Sequence, residues 1–144
     1  MRSVPYSRHD GSPLIFVIDD HDDTRELMRQ WFEMNGFDVA AFPDGRQAVE
    51  DVLRWRPDVI VMDGRLPDQD GWTITRQVRS GCGPQSKTPI VLVSAATDAE
   101  AQAAAVTSGC DCYMVKPVDL DRLSAVVAKL LTHSEAPPQL LGDS

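Results

Sequence analysis

The chain has 144 residues, the length of one domain, and 42% of them are apolar, enough to build a single core and too few to suggest two domains. Its 22 acidic against 14 basic residues leave a net charge of −8 without any Lys/Arg cluster, a balance that opposes binding to nucleic acid or to an anionic membrane surface. The longest apolar runs reach about six residues, far short of the roughly 20 that span a bilayer, so no membrane segment and a cytoplasmic location are expected.

Residues 1–12 are polar, lack the apolar centre of a secretory signal and are expected to form a flexible N-terminal tail. A first strand is predicted over 14–19 (LIFVID), a near-continuous apolar run of the kind covered on both faces. A helix over 23–35 follows, with Leu27, Met28, Trp31, Phe32 and Met34 at helical spacing, Asp23 and Glu26 as a capping box and Asn35-Gly36 as its end. Asp22 and Asp23 also place negative charge at the positive end of that helix.

The second strand reads over 37–42 (FDVAAF). After Pro43-Asp44-Gly45 a second helix carries Ala48, Val49, Val52 and Leu53 on one face and stops before Pro57. A third strand over 58–63 (DVIVMD) leads to a third helix over 71–80, and a fourth strand over 89–94 (PIVLVS) leads to a fourth helix. That helix is expected to open at Thr97, with Glu100 completing a capping box, and to close near Ser108-Gly109. The fifth strand spans 112–116 (CYMVK), and a fifth helix from about residue 119 buries Leu120, Leu123, Val127 and Leu130. Residues 133–144 contain proline and show no periodicity, which reads as a C-terminal tail or the stub of a linker.

Strict alternation of strand and helix predicts an α/β domain over 13–132: a doubly wound, five-stranded parallel sheet with helices on both faces and the flavodoxin-like strand order 2-1-3-4-5. Trp31, Trp55 and Trp72 have no interleaved basic residues and read as packing groups rather than a platform for nucleic acid. Cys82, Cys110 and Cys112 are an odd number without C-x-x-C spacing and are expected to be reduced structural thiols, with Cys82 the most open to oxidation.

Asp19, Asp20, Asp63, Ser94 and Lys116 each close one of the apolar runs, and the carboxyl ends of parallel strands in such a sheet open onto one crevice. Three carboxylates gathered there repel one another: two charges about 4 Å apart cost about 4 kcal/mol at an effective dielectric near 20. The cluster must therefore hold protons or recruit a cation, and an all-oxygen donor set with room for water favours Mg²⁺. A carboxylate beside such an ion is suited to accept a phosphoryl group, with the Ser94 hydroxyl and the Lys116 ammonium paired to phosphoryl oxygens.

These residues sit within Val17-Ile18-Asp19-Asp20, Met62-Asp63 with Leu66-Pro67 and Asp70-Gly71, Pro89 to Ala95 (PIVLVSA), and Val115-Lys116-Pro117. In that combination the chain resembles the receiver domains of two-component response regulators, single-domain chemotaxis-type receivers among them, over about residues 13 to 132. The expected strand order is in part inherited from this resemblance. It implies that Asp63 accepts a phosphoryl group from a sensor histidine kinase or a histidine phosphotransfer domain. It further implies that Asp20, Asp63 and the backbone carbonyl of Arg65 bind Mg²⁺, with Asp19 acting through a bound water. Ser94 and Tyr113 are implied as a switch pair that signals to a downstream protein through the fourth helix, fifth strand and fifth helix. The resemblance also implies a receiver that catalyses only its own phosphorylation and dephosphorylation, with a cis bond at Lys116-Pro117 as one way to aim the lysine.

Arg65 and Ala96 occupy positions that tune phosphoryl lifetime in that family; the Arg65 side chain either covers the site or points into solvent. His21 is expected to be an exposed loop histidine rather than a group that touches the ion. The fourth helix is Ala-rich and nearly uncharged, which leaves little for the salt-bridged dimer of DNA-binding regulators. Two rival readings stand beside the receiver. Asp20-His21-Asp22-Asp23-Thr24 also spells the D-x-D-x-T motif of haloacid-dehalogenase-like phosphatases, with Asp20 as nucleophile. The other rival is a receiver-like binding module that works without phosphorylation.

Overall fold

The computed structural model describes residues 11–133, so nearly all of the two expected tails, 1–12 and 133–144, lies outside the described residues. Strands β1 (Leu14–Ile18), β2 (Asp38–Phe42), β3 (Val59–Asp63), β4 (Ile90–Ala95) and β5 (Cys112–Lys116) alternate with helices α1 (Asp22–Met34), α2 (Ala48–Trp55), α3 (Gly71–Ser80), α4 (Ala99–Ser108) and α5 (Leu120–His133). The strands form one parallel sheet in the order β2-β1-β3-β4-β5, as the alternation predicts. A short 3₁₀ turn at Pro84–Lys87, which periodicity did not reveal, bridges α3 and β4.

Alternate residues of each central strand feed two cores. Leu14, Phe16, Ile18, Ile60, Met62, Ile90 and Leu92 pack with Val52, Trp72, Ile74, Val78 and Ala105 on the side of α2, α3 and α4. Ile15, Val17, Val59, Val61, Val91 and Val93 pack with Met28, Phe32, Leu123, Val127 and Leu130 on the side of α1 and α5. Every residue of β1 and β3 is buried, which is why those strands read as unbroken apolar runs. Each such aliphatic side chain contributes about 1.5–3 kcal/mol of burial.

Local details differ from the expectation. In α1 only Met28 and Phe32 are buried, while Leu27 and Met34 are exposed; one step along a helix turns the side chain by roughly 100°, so a narrow stripe four residues apart meets the sheet. Likewise α2 buries Ala48 and Val52 and leaves Val49 and Leu53 outside. Neither capping box forms. Helix α1 is capped at His21 without a side-chain bond, and Glu26 instead pairs with Arg29 and Gln30 one turn on. Helix α4 is capped by Asp98, whose carboxylate accepts the Ala101 amide at 3.0 Å, and Glu100 is drawn to Arg65.

The amino edge of the sheet is closed by one cation. Arg79 donates to the carbonyls of Gly109 (2.8 Å), Ser86 (3.1 Å) and Thr88 (2.7 Å) and to the Asp111 carboxylate (2.8 Å). Asp111 also accepts the amide of Ile90 at 2.8 Å, tying the start of β4 to the start of β5. At the opposite edge α3 begins hard against β3: a Cβ on Gly71 would overlap the carbonyl oxygen of Asp63, so only glycine permits this approach. Its amide donates to the Gly64 carbonyl at 2.9 Å.

Candidate functional site

The carboxyl ends of β1, β3, β4 and β5 place the sequence-selected residues around one crevice. Strand β1 ends at Ile18, one residue before the expected end, and Asp19 follows with its amide still bonded to the Phe42 carbonyl at 3.0 Å. Asp63 is the last residue of β3 and pairs in register with Val93, so Ser94 stands one residue further toward the crevice. Lys116 ends β5 opposite Ala95, and the Lys116-Pro117 bond is cis.

Asp63 is buried, at 4% exposure, and its two oxygens are used differently. Its Oδ1 accepts the Arg65 amide at 3.0 Å, and its Oδ2 accepts Lys116 Nζ at 2.8 Å. The same ammonium lies 4.0 Å from Asp19 Oδ2. Burial pushes the Asp63 carboxyl above the ordinary carboxylate range; the Lys116 bond and the Arg65 amide oppose that shift, and the Asp19 charge adds to it. Asp19 is also buried, and Oδ1 takes the His21 amide at 2.8 Å. Asp20 is the exposed member of the set.

Asp19, Asp20, His21 and Asp63 each offer a ligand atom, all within 4.8 Å of one another. Three carboxylates against one ammonium leave the crevice short of positive charge, and carboxylate oxygens are the donors that suit a hard divalent ion. The residues therefore fit a receiver-type metal site. Ser94 is buried, and its hydroxyl hydrogen-bonds that of Tyr113 in a short contact. This bond links β4 to β5 beside the crevice.

Two features were missed in the sequence. His21, expected in solvent, has a side chain 63% exposed, yet its Nδ1 stands 3.2 Å from Asp19 Oδ1, 3.2 Å from Asp20 Oδ1 and 3.8 Å from Asp63 Oδ2. Its position directly after the acidic pair was the available signal. The Arg65 guanidinium, left between covering the site and pointing outward, does neither: it lies over the Trp72 ring at 4.8 Å and grips Asp98 (2.8 and 3.1 Å) and Glu100 (2.6 Å). Arg65 holds the Asp98 carboxyl below the ordinary range. The turn after β3 is thereby strapped to the start of α4.

The D-x-D-x-T reading fails on geometry, because Lys116 engages Asp63 rather than Asp20, and Asp22 faces outward to Arg25 at 2.6 Å. Among the described residues no helix is long and apolar enough to cross a membrane.

Comparison with known proteins agrees with this geometry. The family model of the response regulator receiver domain matches residues 15–128. The transcriptional regulatory protein TrcR of Mycobacterium tuberculosis is 35% identical over 128 residues, covering 88% of this chain and 49% of TrcR. The regulatory protein AtoC of Escherichia coli is 32% identical over 117 residues, 81% of this chain but 25% of AtoC. The chain thus spans about half or less of the length of these two curated relatives. Among solved structures, the receiver domain of the Francisella response regulator 1452 superposes with a TM-score of 0.77 at 29% identity, covering 86% of this chain and all of that one. The chemotaxis response regulator CheY4 of Vibrio cholerae gives 0.74 at 26% identity, with 83% and 99% coverage.

Proposed function

This chain belongs to the response regulator receiver domain family, a signalling module of two-component systems that in general answers to a histidine kinase, and we propose that Asp63 is its phosphoacceptor. The carrying observation is that one buried carboxylate is held by Lys116 at 2.8 Å and by a backbone amide at 3.0 Å at the mouth of an acidic crevice. In the proposed reaction an Asp63 oxygen attacks the phosphorus of a phosphohistidine on a sensor kinase or phosphotransfer domain. The new O–P bond forms as the P–N bond breaks, and the imidazole nitrogen takes back the electron pair.

Asp20 and Asp63, with the Arg65 carbonyl and with Asp19 through water, would hold Mg²⁺. When bound, the ion supplies neutralisation of charge on the transferring group. Lys116 pairs with a phosphoryl oxygen, and Ser94 hydrogen-bonds another. Catalysis is confined to the chain's own phosphorylation and its hydrolysis.

Ser94 would have to exchange its Tyr113 partner for the phosphoryl group, and that exchange is the proposed link to the output surface. The added charge of about −1.5 to −2 is of the size that reorders a nearby two-state loop. The surface is the α4-β5-α5 face, where Val106 and Val115 are exposed apolar groups suited to a protein target. The test is incubation with a small phosphodonor and Mg²⁺, followed by peptide mapping. Label on Asp63 that requires Mg²⁺ and vanishes in Asp63→Asn is the expected result. Label on Asp20 instead, or no label with any donor, would overturn the assignment.

A further inference from the structure

We infer that His21 is a direct nitrogen ligand of the ion held in the crevice, so that this receiver takes a divalent ion of the nickel–zinc class much more tightly than its carboxylates alone would. The inference deepens the reading just given and rests on it. The Nδ1 atom is equidistant, at 3.2 Å, from one oxygen of Asp19 and one of Asp20, and 3.8 Å from Asp63 Oδ2. One ring N–H cannot serve three carboxylates, but one ring lone pair can share an ion with Asp20 and Asp63 while Asp19 acts through its water. Adjacent ligand atoms on an octahedral ion with bonds near 2.1 Å lie about 3.0 Å apart, close to the spacing found. Neutral imidazole binds through either ring nitrogen.

The ring is drawn in by carboxylates alone: Nδ1 is within hydrogen-bonding distance of Asp19 Oδ1 at 3.2 Å and just as near Asp20 Oδ1. Its side chain is 63% exposed, so packing does not force it inward, and it makes no cap bond to α1. The backbone amide of His21 also donates to Asp19 Oδ1, at 2.8 Å, so Asp19 keeps a partner when the ring turns to an ion. Imidazole changes the chemistry of the site: carboxylates and water alone suit Mg²⁺, whereas an added nitrogen donor suits Ni²⁺ and Zn²⁺. Bound to the ring, Asp20 and Asp63, such an ion would compete with Mg²⁺ for the same crevice.

The test is calorimetric titration of the full chain with Ni²⁺ and with Mg²⁺, comparing His21 with His21→Asn, both in a Cys82→Ser background that removes the exposed thiol. His21→Asn is expected to weaken Ni²⁺ binding about 10- to 100-fold and to change Mg²⁺ affinity less than about twofold, since Mg²⁺ gains little from imidazole. Equal Ni²⁺ affinity in the two proteins would overturn the inference while Mg²⁺ binding lost in Asp63→Asn still upheld the acceptor site. Absence of any divalent binding that depends on Asp20 or Asp63 would overturn both.

Discussion

The two edges of the sheet each hold a carboxylate between one cation and one backbone amide, and treat it in opposite ways. At the amino edge Asp111, like Asp63, has its carboxyl pushed up by burial, yet it meets one guanidinium and one backbone amide and no crowding carboxylate is among the causes of its shift. At the carboxyl edge Asp63 meets one ammonium and one amide, but the charge of Asp19 also bears on it. The first edge is a closed account of donors and acceptors and serves stability. The second is left unbalanced, and the imbalance is what a cation and a phosphoryl group can answer.

The sharpest way to separate the edges is to remove one cation from each. Lys116→Ala should slow labelling of Asp63 by a small phosphodonor about 100-fold, since a charge aimed at the transferring group is lost, while Arg79→Ala should leave that rate unchanged. In urea, Arg79→Ala should cost about 2–3 kcal/mol, because it strips partners from three carbonyls and a partly buried carboxylate. Loss of labelling in Arg79→Ala would break the contrast.

A subtler prediction concerns Asp63 itself in metal-free protein. Its folded-state pKa lies above the ordinary 3.8, so its contribution favours folding fully below that value and is lost as pH rises through the elevated one. Asp63→Asn should therefore be more stable than the parent at neutral pH, with the gain vanishing once pH falls below the ordinary carboxylate range in a series of denaturation curves. The smallest effect belongs to the Arg65 strap. Asp98 is held below 3.8, so its contribution is present above that pH and disappears as pH falls through its depressed value. Arg65→Gln should weaken this acid dependence without abolishing it, since the Ala101 amide still favours the ionised Asp98 carboxyl, and added salt should likewise weaken it in an acid-unfolding titration.

The sequence revealed what is periodic. Five apolar runs, four of them ending in Asp19, Asp63, Ser94 and Lys116, were enough to place the strands and to predict that their ends converge, because parallel strands covered on both faces leave that signature. What escaped it is where long side chains go once the backbone is set. Arg65 reaches partners 33 and 35 residues away, and no local pattern reports such a choice. The fourth helix's cap likewise falls one residue later than expected, on Asp98, while Glu100 pairs with Arg65. His21 was read by its exposure, which was right, but exposure says nothing of the direction in which a ring leans when two carboxylates flank it.

Gly71 fixes how the site can yield. With α3 resting on the carbonyl of Asp63 and no volume between them for even a methyl group, the proposed acceptor has a rigid backstop. If Asp63 is phosphorylated as proposed, the extra atoms on its carboxyl would not be absorbed by recoil of β3, and the displacement would be directed sideways, into the β4–α4 turn that Ser94 and the Arg65 strap border.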